Sequence, residues 1–134
     1  MKIRLAAVKD IPILSLYDKH ISKTELTHII PLNRVYIAEE KGDFLGWLRY
    51  QLFWDNTPFL NMLYVLEKNR GKGYGKALLD HWERNMKVWE YPLVMTSTPS
   101  NEYSQHFYVK LGYRIIGGFL PEKEPFEVIL SKRL

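Results

Sequence analysis

Apolar and polar positions recur along the chain with two alternating periods, and together they predict the order β-α-α-β-β-β-α-β-α-β-β. Ile3 to Ala7 reads as a short first strand, and Asp10 can cap a helix with Pro12 in its first turn and Ile13, Leu14, Leu16 and Tyr17 on its apolar side. A second short helix is expected over Ser22 to Ile30. Val35 to Glu39 and Phe44 to Phe53 are β-rich runs joined by Glu40-Lys41-Gly42-Asp43, so they should form an antiparallel hairpin. Asp55-Asn56-Thr57-Pro58 predicts a second reversal into Phe59 to Leu66, an apolar run expected to be a central, buried strand. Tyr74, Ala77, Leu78, Trp82, Met86 and Trp89 then recur at three and four, which predicts an amphipathic helix ending near Glu90, before Pro92. Leu93 to Thr96 should be a strand. Ser100 or Asn101 can cap a helix with Tyr103, Phe107 and Leu111 on its apolar stripe, closed by Gly112. Tyr113 to Phe119 and Phe126 to Leu130 supply two last strands around the turn at 121–125. This order predicts an α/β (α+β mixed) fold: a mostly antiparallel, mixed sheet of six to seven strands with helices on both faces, and one parallel crossover over residues 59–97.

Composition narrows the class. A length of 134 residues suits a single domain, 1–134, with one core, and 46% apolar with 14% aromatic residues is too rich for disorder. No apolar run approaches the roughly 18 to 20 residues of a membrane span, and the start lacks the apolar stretch of a secretory signal, so a soluble, cytoplasmic protein is expected. The absence of cysteine excludes disulfides, a cysteine nucleophile and thiolate metal sites. His20, His28, His81 and His106 show no metal-ligand spacing, so no metal is expected. Trp47, Trp54, Trp82 and Trp89 suit core and rim packing better than a stacking platform for nucleic acid.

The net charge of +4 matters less than its placement, because Lys68, Arg70, Lys72 and Lys76 share a short stretch with Gly71, Gly73 and Gly75. Glycines that alternate where a strand gives way to a helix can aim bare N–H groups at an anion near the positive helix end. A diphosphate is the natural guest. The P-loop fails on count, since Gly75-Lys76 has Arg70 and Ala77 where glycine and Ser or Thr are needed. The dinucleotide fingerprint fails too, with Lys76 or Leu78 at its third small position. A flexible strand-to-helix connection is the bland alternative.

The run Arg70-Gly71-Lys72-Gly73-Tyr74-Gly75 resembles the R/Q-x-x-G-x-G/A signature of the GNAT acyl-CoA N-acyltransferase superfamily, and it follows Leu63-Tyr64-Val65 at that family's spacing. Residues 38–46 resemble its second hairpin, and Asn101 through Phe107-Tyr108, Leu111, Gly112 and Tyr113 resemble its later N-x-x-x-x-x-x-Y-x-x-x-G-F/Y motif. Element order matches over nearly the whole chain. The resemblance implies that acetyl-CoA is the co-substrate, with its pyrophosphate on the amides of Gly71 to Lys76 and its pantetheine arm along the backbone of Leu63, Tyr64 and Val65. It assigns Arg70, Gly71, Lys72, Gly73, Tyr74, Gly75, Lys76 and Asn101 to coenzyme A binding and Tyr108 to protonation of the departing thiolate. Without the resemblance, Tyr108 reads as a helix residue packed beside Phe107.

The general base is a departure from many relatives: Asn61 stands where they carry Glu on the fourth strand, and Thr96 aligns where others, such as the ribosomal-protein alanine acetyltransferases, carry Glu on the fifth. The amine proton can leave through ordered water, or the amine can arrive neutral; Glu102 and His106 fit a solvent face better than a catalytic one. The implied function is direct transfer of an acetyl group to a primary amine, on a small molecule or a peptide N terminus. Leu26, Ile29, Tyr50, Phe53 and Trp54 suit an acceptor pocket and core packing equally well. Alternative readings are a non-catalytic acyl-CoA-binding module and acetylation of an RNA-borne amine such as aminoacyl-tRNA. No membrane partner is expected, nucleic acid is not favoured, and a homodimer stays open.

Overall fold

The structure is a computed structural model that describes all 134 residues. Its elements are β1 (Lys2–Leu5), a 3-10 turn (Val8–Asp10), α1 (Ile11–Tyr17), α2 (Lys23–Ile29), β2 (Val35–Glu40), β3 (Asp43–Phe53), β4 (Thr57–Val65), a second 3-10 turn (Glu67–Asn69), α3 (Tyr74–Val88), β5 (Leu93–Pro99), α4 (Ser104–Lys110), β6 (Arg114–Phe119) and β7 (Glu127–Arg133). The seven strands are ordered β1-β2-β3-β4-β5-β7-β6. The β1–β2, β2–β3, β5–β7 and β6–β7 ladders are antiparallel, and β4 pairs with β5 in parallel, which is the expected crossover. The chain gathers into two compact units, residues 1–51 with 62–82, and residues 52–61 with 83–134.

In the first unit, the Lys41-Gly42 corner of the β2–β3 hairpin has positive φ at both residues, the turn that matches strand twist. Val35, Ile37 and Trp47 point to one face and bury Ile11 and Leu14 of α1 with Leu26 and Ile29 of α2. The alternate residues Tyr36 and Tyr50 point the other way, against His81 and Trp82 of α3. The α1 stripe is narrower than its sequence suggests. Leu16 and Tyr17 are exposed, because this seven-residue helix has room for only two buried residues, Ile11 and Leu14. Asp10 stands at the N-cap of α1, as expected, but makes no side-chain bond to the helix; its carboxylate accepts the Ala7 N–H at 2.7 Å and holds the preceding turn, with Arg4 donating to both oxygens at 2.8 Å. Those Arg4 bonds keep the Asp10 carboxyl below the ordinary range against the opposing effect of burial.

One buried charge pair ties the α1–α2 segment down. Arg49 Nε donates to Asp18 at 2.6 Å, and Trp47 Nε1 and the His20 N–H donate to the same carboxylate at 3.0 and 3.2 Å. Arg49 interrupts the apolar run from Phe44 to Tyr50 within β3, which is the sequence signal that it needs a buried partner.

In the second unit, β4 pairs in parallel with β5 at Phe59↔Met95 and Leu60↔Thr96, and β5 runs antiparallel to β7, which pairs with β6. The turn before β4 lies earlier than expected. Trp54 and Asp55 form its corner with positive φ, and Thr57 and Pro58 already belong to the strand. Trp is among the residues least suited to that conformation, so the pattern of turn formers pointed downstream. Trp89 and Tyr103 are also exposed rather than buried: Trp89 follows the last turn of α3, which Glu90 closes in the left-handed region, and Tyr103 precedes α4. Neither Ser100 nor Asn101 caps α4, whose N-cap is Tyr103 without a side-chain bond.

Candidate active site

The loop between β4 and α3 is built backbone first. Asn69 and Arg70 donate their N–H groups to the Leu66 and Glu67 carbonyls, which closes the short turn after β4. Gly71 and Gly73 then take φ of +77° and +84°, and a Cβ on either would meet nothing within 4 Å. The Ala77 N–H donates to the Gly73 carbonyl, so the Tyr74, Gly75 and Lys76 N–H groups are the amides of the opening turn of α3. Gly75 differs from its neighbours. Its φ is not in the left-handed region, and a Cβ there would rest 3.7 Å from Val65.

Arg70 turns back onto β4. Its Nε donates to the Val65 carbonyl at 2.9 Å and its guanidinium lies 5.0 Å from the centre of the Tyr64 ring. Tyr64 is half-exposed and Leu63 and Val65 are half-buried, so β4 is central in strand order yet not buried as expected. A strand's place in a sheet satisfies its backbone, but its side chains are covered only where a helix or loop packs on them. Tyr64 also ends a row of rings, Tyr17, Phe44, Trp47 and Tyr64, spaced 5.0 to 5.9 Å.

Beside the loop a cavity of about 280 Å³ is lined by Glu40, Lys41, Asp43, Lys68, Asn69 and Lys72, among others. The Asn69 amide nitrogen is buried without a hydrogen-bond partner. Tyr74 donates to Glu40 at 3.1 Å, which raises the phenol and lowers the carboxyl from their ordinary values. Lys76 pairs with Asp80 one turn along α3 at 3.0 Å, an exposed contact worth little to stability.

The second unit holds Tyr108 on α4, 6% exposed. On β5, Thr96 Oγ1 donates to the Leu60 carbonyl at 3.0 Å. Burial pushes the Tyr108 phenol up to about 12, against a smaller lowering by the Thr96 hydroxyl. The Tyr113 ring meets Tyr108 edge-on at 5.3 Å and donates its hydroxyl to Glu83 at 2.8 Å, where Lys132 also donates at 2.7 Å. Asn101 is exposed in the turn before α4, and Asn61 is exposed on β4. Phe53 and Trp54, with Leu93, Met95, Ile116 and Ile129, border an apolar groove of about 410 Å³, whereas Leu26, Ile29 and Tyr50 are core. No group of three or more His, Asp or Glu comes together to hold a metal ion, and no helix is long and apolar enough to cross a membrane.

The predicted site residues are thus divided unequally between the units: Leu63 to Val65 and Arg70 to Lys76 in the first, and only Asn101 and Tyr108 in the second. The Glu83, Tyr113 and Lys132 cluster and the Asp18–Arg49 pair went unnoticed in sequence; Glu83 directly follows Trp82 at the edge of the apolar stripe, which was the available hint.

The model of the Acetyltransferase (GNAT) family matches residues 8–113, and the chain belongs to that family. No curated protein matches it in sequence. Among solved structures, Ard1 from Thermoplasma volcanium superimposes with a TM-score of 0.86 at 15% identity, covering 99% of this chain and 97% of that one. The PaiA N-acetyltransferase from Thermoplasma acidophilum, solved in complex with coenzyme A, gives 0.81 at 18% identity over 99% and 98%. The ribosomal-protein-alanine N-acetyltransferase from Brucella melitensis gives 0.82 at 18% identity over the whole of both chains. At these identities the likeness is one of fold, and it bears out the mixed sheet read from the sequence.

Proposed function

We propose that the protein is an N-acetyltransferase that moves the acetyl group of acetyl-CoA directly to a primary amine, with residues 1–134 working as one domain. The observation that carries this reading is the loop: Gly71 and Gly73 at positive φ leave bare, open backbone immediately ahead of the first amides of a 15-residue helix. That arrangement fits a diphosphate, because the helix end is partly positive and no side chain stands over the glycines. The amides of Gly71, Lys72, Gly73, Tyr74, Gly75 and Lys76 receive the anion, with Lys72 adding charge. Arg70 works indirectly, since its N–H and Nε are already engaged with Glu67 and Val65; it holds the loop against β4. Leu63, Tyr64 and Val65 offer the strand backbone for the pantetheine arm, and Asn101 a side-chain amide for the same arm.

Acetyl-CoA supplies an activated acyl group, and the chain's residues supply position and a proton. Tyr108, neutral throughout the physiological range because burial raises it, is the proton donor to the leaving sulfur. No carboxylate stands at position 61 or 96, so the amine is taken up neutral or loses its proton to water. An acceptor with an accessible primary amine, a small molecule or a peptide N terminus, fits this chemistry, and a peptide N terminus has a precedent among folds of this type in the ribosomal-protein-alanine enzyme.

The test is release of free thiol from acetyl-CoA in the presence of a panel of amines, amino acids and peptides with free N termini. Amine-dependent release with formation of the acetylated amine is expected. Binding of acetyl-CoA with no turnover on any class of amine would point instead to an acyl-CoA-binding module.

A further inference from the structure

Strand β6 is the last in the sheet, and it pairs with β7 alone, so the N–H and C=O groups of its outer edge have no backbone partner. All six of its residues are exposed. An edge of this kind is a template for another strand, and proteins that keep such edges single place Lys, Pro or a bulge on them. Within 115–119 the only such guard is the bulge at Ile116, where the ladder shifts between Ile115 and Gly117. Apolar side chains crowd the same edge: Ile115, Ile116, Phe119, Leu120 and Phe126 are between 45% and 75% exposed. At about 150 to 200 Å² for a whole side chain of this size, they present roughly 500 Å² per copy, so two copies reach the roughly 1,000 Å² that a specific interface needs.

We propose that β6 pairs antiparallel with β6 of a second copy of this chain, across a two-fold axis between Ile116 and Gly117. The strand's own sequence favours a copy of itself over a foreign peptide. Arg114-Ile115-Ile116-Gly117-Gly118-Phe119 carries its bulk before its glycines, and antiparallel self-pairing sets Ile116 opposite Gly117, Ile115 opposite Gly118 and Arg114 opposite Phe119 of the second copy. This register also keeps each pair on one face of the sheet, which a slip by one residue would not. The β7 neighbours fix those faces: Ile115 and Gly118 stand beside Leu130 and Val128, whereas Arg114 and Phe119 stand beside Ser131 and Glu127. Ile116 and Gly117 both line the apolar groove on the second of these faces. A Cβ on Gly117 would meet nothing within 4 Å, so there is room over it for Ile116 of the second copy. Charge is matched too. Exposed Arg114 comes over the Phe119 ring and close to the turn that carries Glu122 and Glu124, and the two-fold axis makes the contact twice.

The test is sedimentation equilibrium of the full chain over the micromolar range, where the mass should approach twice the 15.9 kDa of one copy. Ile116→Lys sets a charge in the apolar centre of the contact and should raise the dissociation constant by at least about tenfold, with an unchanged circular dichroism spectrum because the position is exposed in one copy. The register has its own readout, since the chain has no cysteine. Copies carrying Ile116→Cys, mixed with copies carrying Gly117→Cys, should link through a disulfide under mild oxidation, because directly opposed residues lie within its span. Ile116→Cys mixed with Arg114→Cys should link far more slowly. A mass that stays at one copy throughout would overturn the proposal and leave the edge to an extended peptide. A dimer that survives Ile116→Lys, or one in which the 116–114 pair links as fast as the 116–117 pair, would overturn it by placing the contact elsewhere. If Ile116→Lys does not fold, the wild-type mass and the two linking rates decide alone. None of these readouts needs coenzyme A or an amine, so their failure is distinct from failure of the acetyl-transfer reading.

Discussion

Residues 70–76 are mostly exposed and present backbone groups from a loop whose shape is set by two glycines at positive φ, whereas Tyr108 is 6% exposed and packs edge-on against Phe107 and Tyr113. In the loop, side-chain identity matters little except where a side chain would strain the backbone. Around Tyr108 the opposite holds, because one atom, the phenol oxygen, decides whether this buried residue can do acid chemistry. A recognition surface made of amides and a proton donor made of one phenol therefore fail differently, the first in affinity and the second in rate.

The largest effect should come from the phenol. Tyr108→Phe keeps the ring and its contacts with Phe107 and Tyr113, so coenzyme A affinity should change by less than about threefold while kcat falls by about tenfold or more, within the 10² to 10⁴ typical of general acids or somewhat below it if water substitutes. Steady-state kinetics beside a binding titration separate the two. The pH profile adds a sign. The active form is the protonated one and burial holds the phenol up to about 12, so kcat of the wild type should show no falling limb from this group near the ordinary tyrosine value of 10. A falling limb there that disappears in Tyr108→Phe would mean that the phenol is more exposed than its burial implies.

Next in size is Gly73→Val. A β-branched residue at φ of +84° costs about 1 to 2 kcal/mol, and the loop would relax away from its open shape. Coenzyme A should bind at least about tenfold more weakly, measured by calorimetry, with a lower melting temperature but a folded protein. Normal binding by a folded Gly73→Val variant would make the loop a mere connection.

Gly75→Ala should have the smallest effect, and it sharpens the contrast within the loop. Gly75 has ordinary φ, and a methyl group would sit in van der Waals contact with Val65 at 3.7 Å. Stability should stay within about 0.5 kcal/mol and coenzyme A affinity within about threefold. A loss as large as that of Gly73→Val would mean that open space over Gly75, not φ, is what the ligand needs.

The two regions also differ in how far the sequence revealed them. The loop was legible because a glycine pattern reports backbone geometry directly, although it could not tell Gly75, which needs no positive φ, from Gly71 and Gly73, which do. The order of elements was legible for a similar reason, since period and turn chemistry are local. Burial was less so. Trp89, Tyr103, Leu16 and Tyr17 fall on predicted apolar stripes yet lie exposed at helix ends, where the period continues but the packing surface stops. The Trp54-Asp55 turn was displaced because its corner residues defy the usual preferences. Tyr108 was singled out through its family spacing, whereas Thr96 drew notice for the carboxylate it replaces, and only the parallel pairing of Leu60 with Thr96 puts its hydroxyl against a main-chain carbonyl.

The most direct measurement is the melting temperature of the wild-type protein with and without millimolar coenzyme A, with phosphate-free adenosine as the control. A ligand at about 100 times its Kd stabilises the folded state by about 2.7 kcal/mol, so coenzyme A should raise the midpoint by several degrees while adenosine does much less. Equal melting temperatures with and without coenzyme A would contradict the assignment of the glycine loop to its diphosphate.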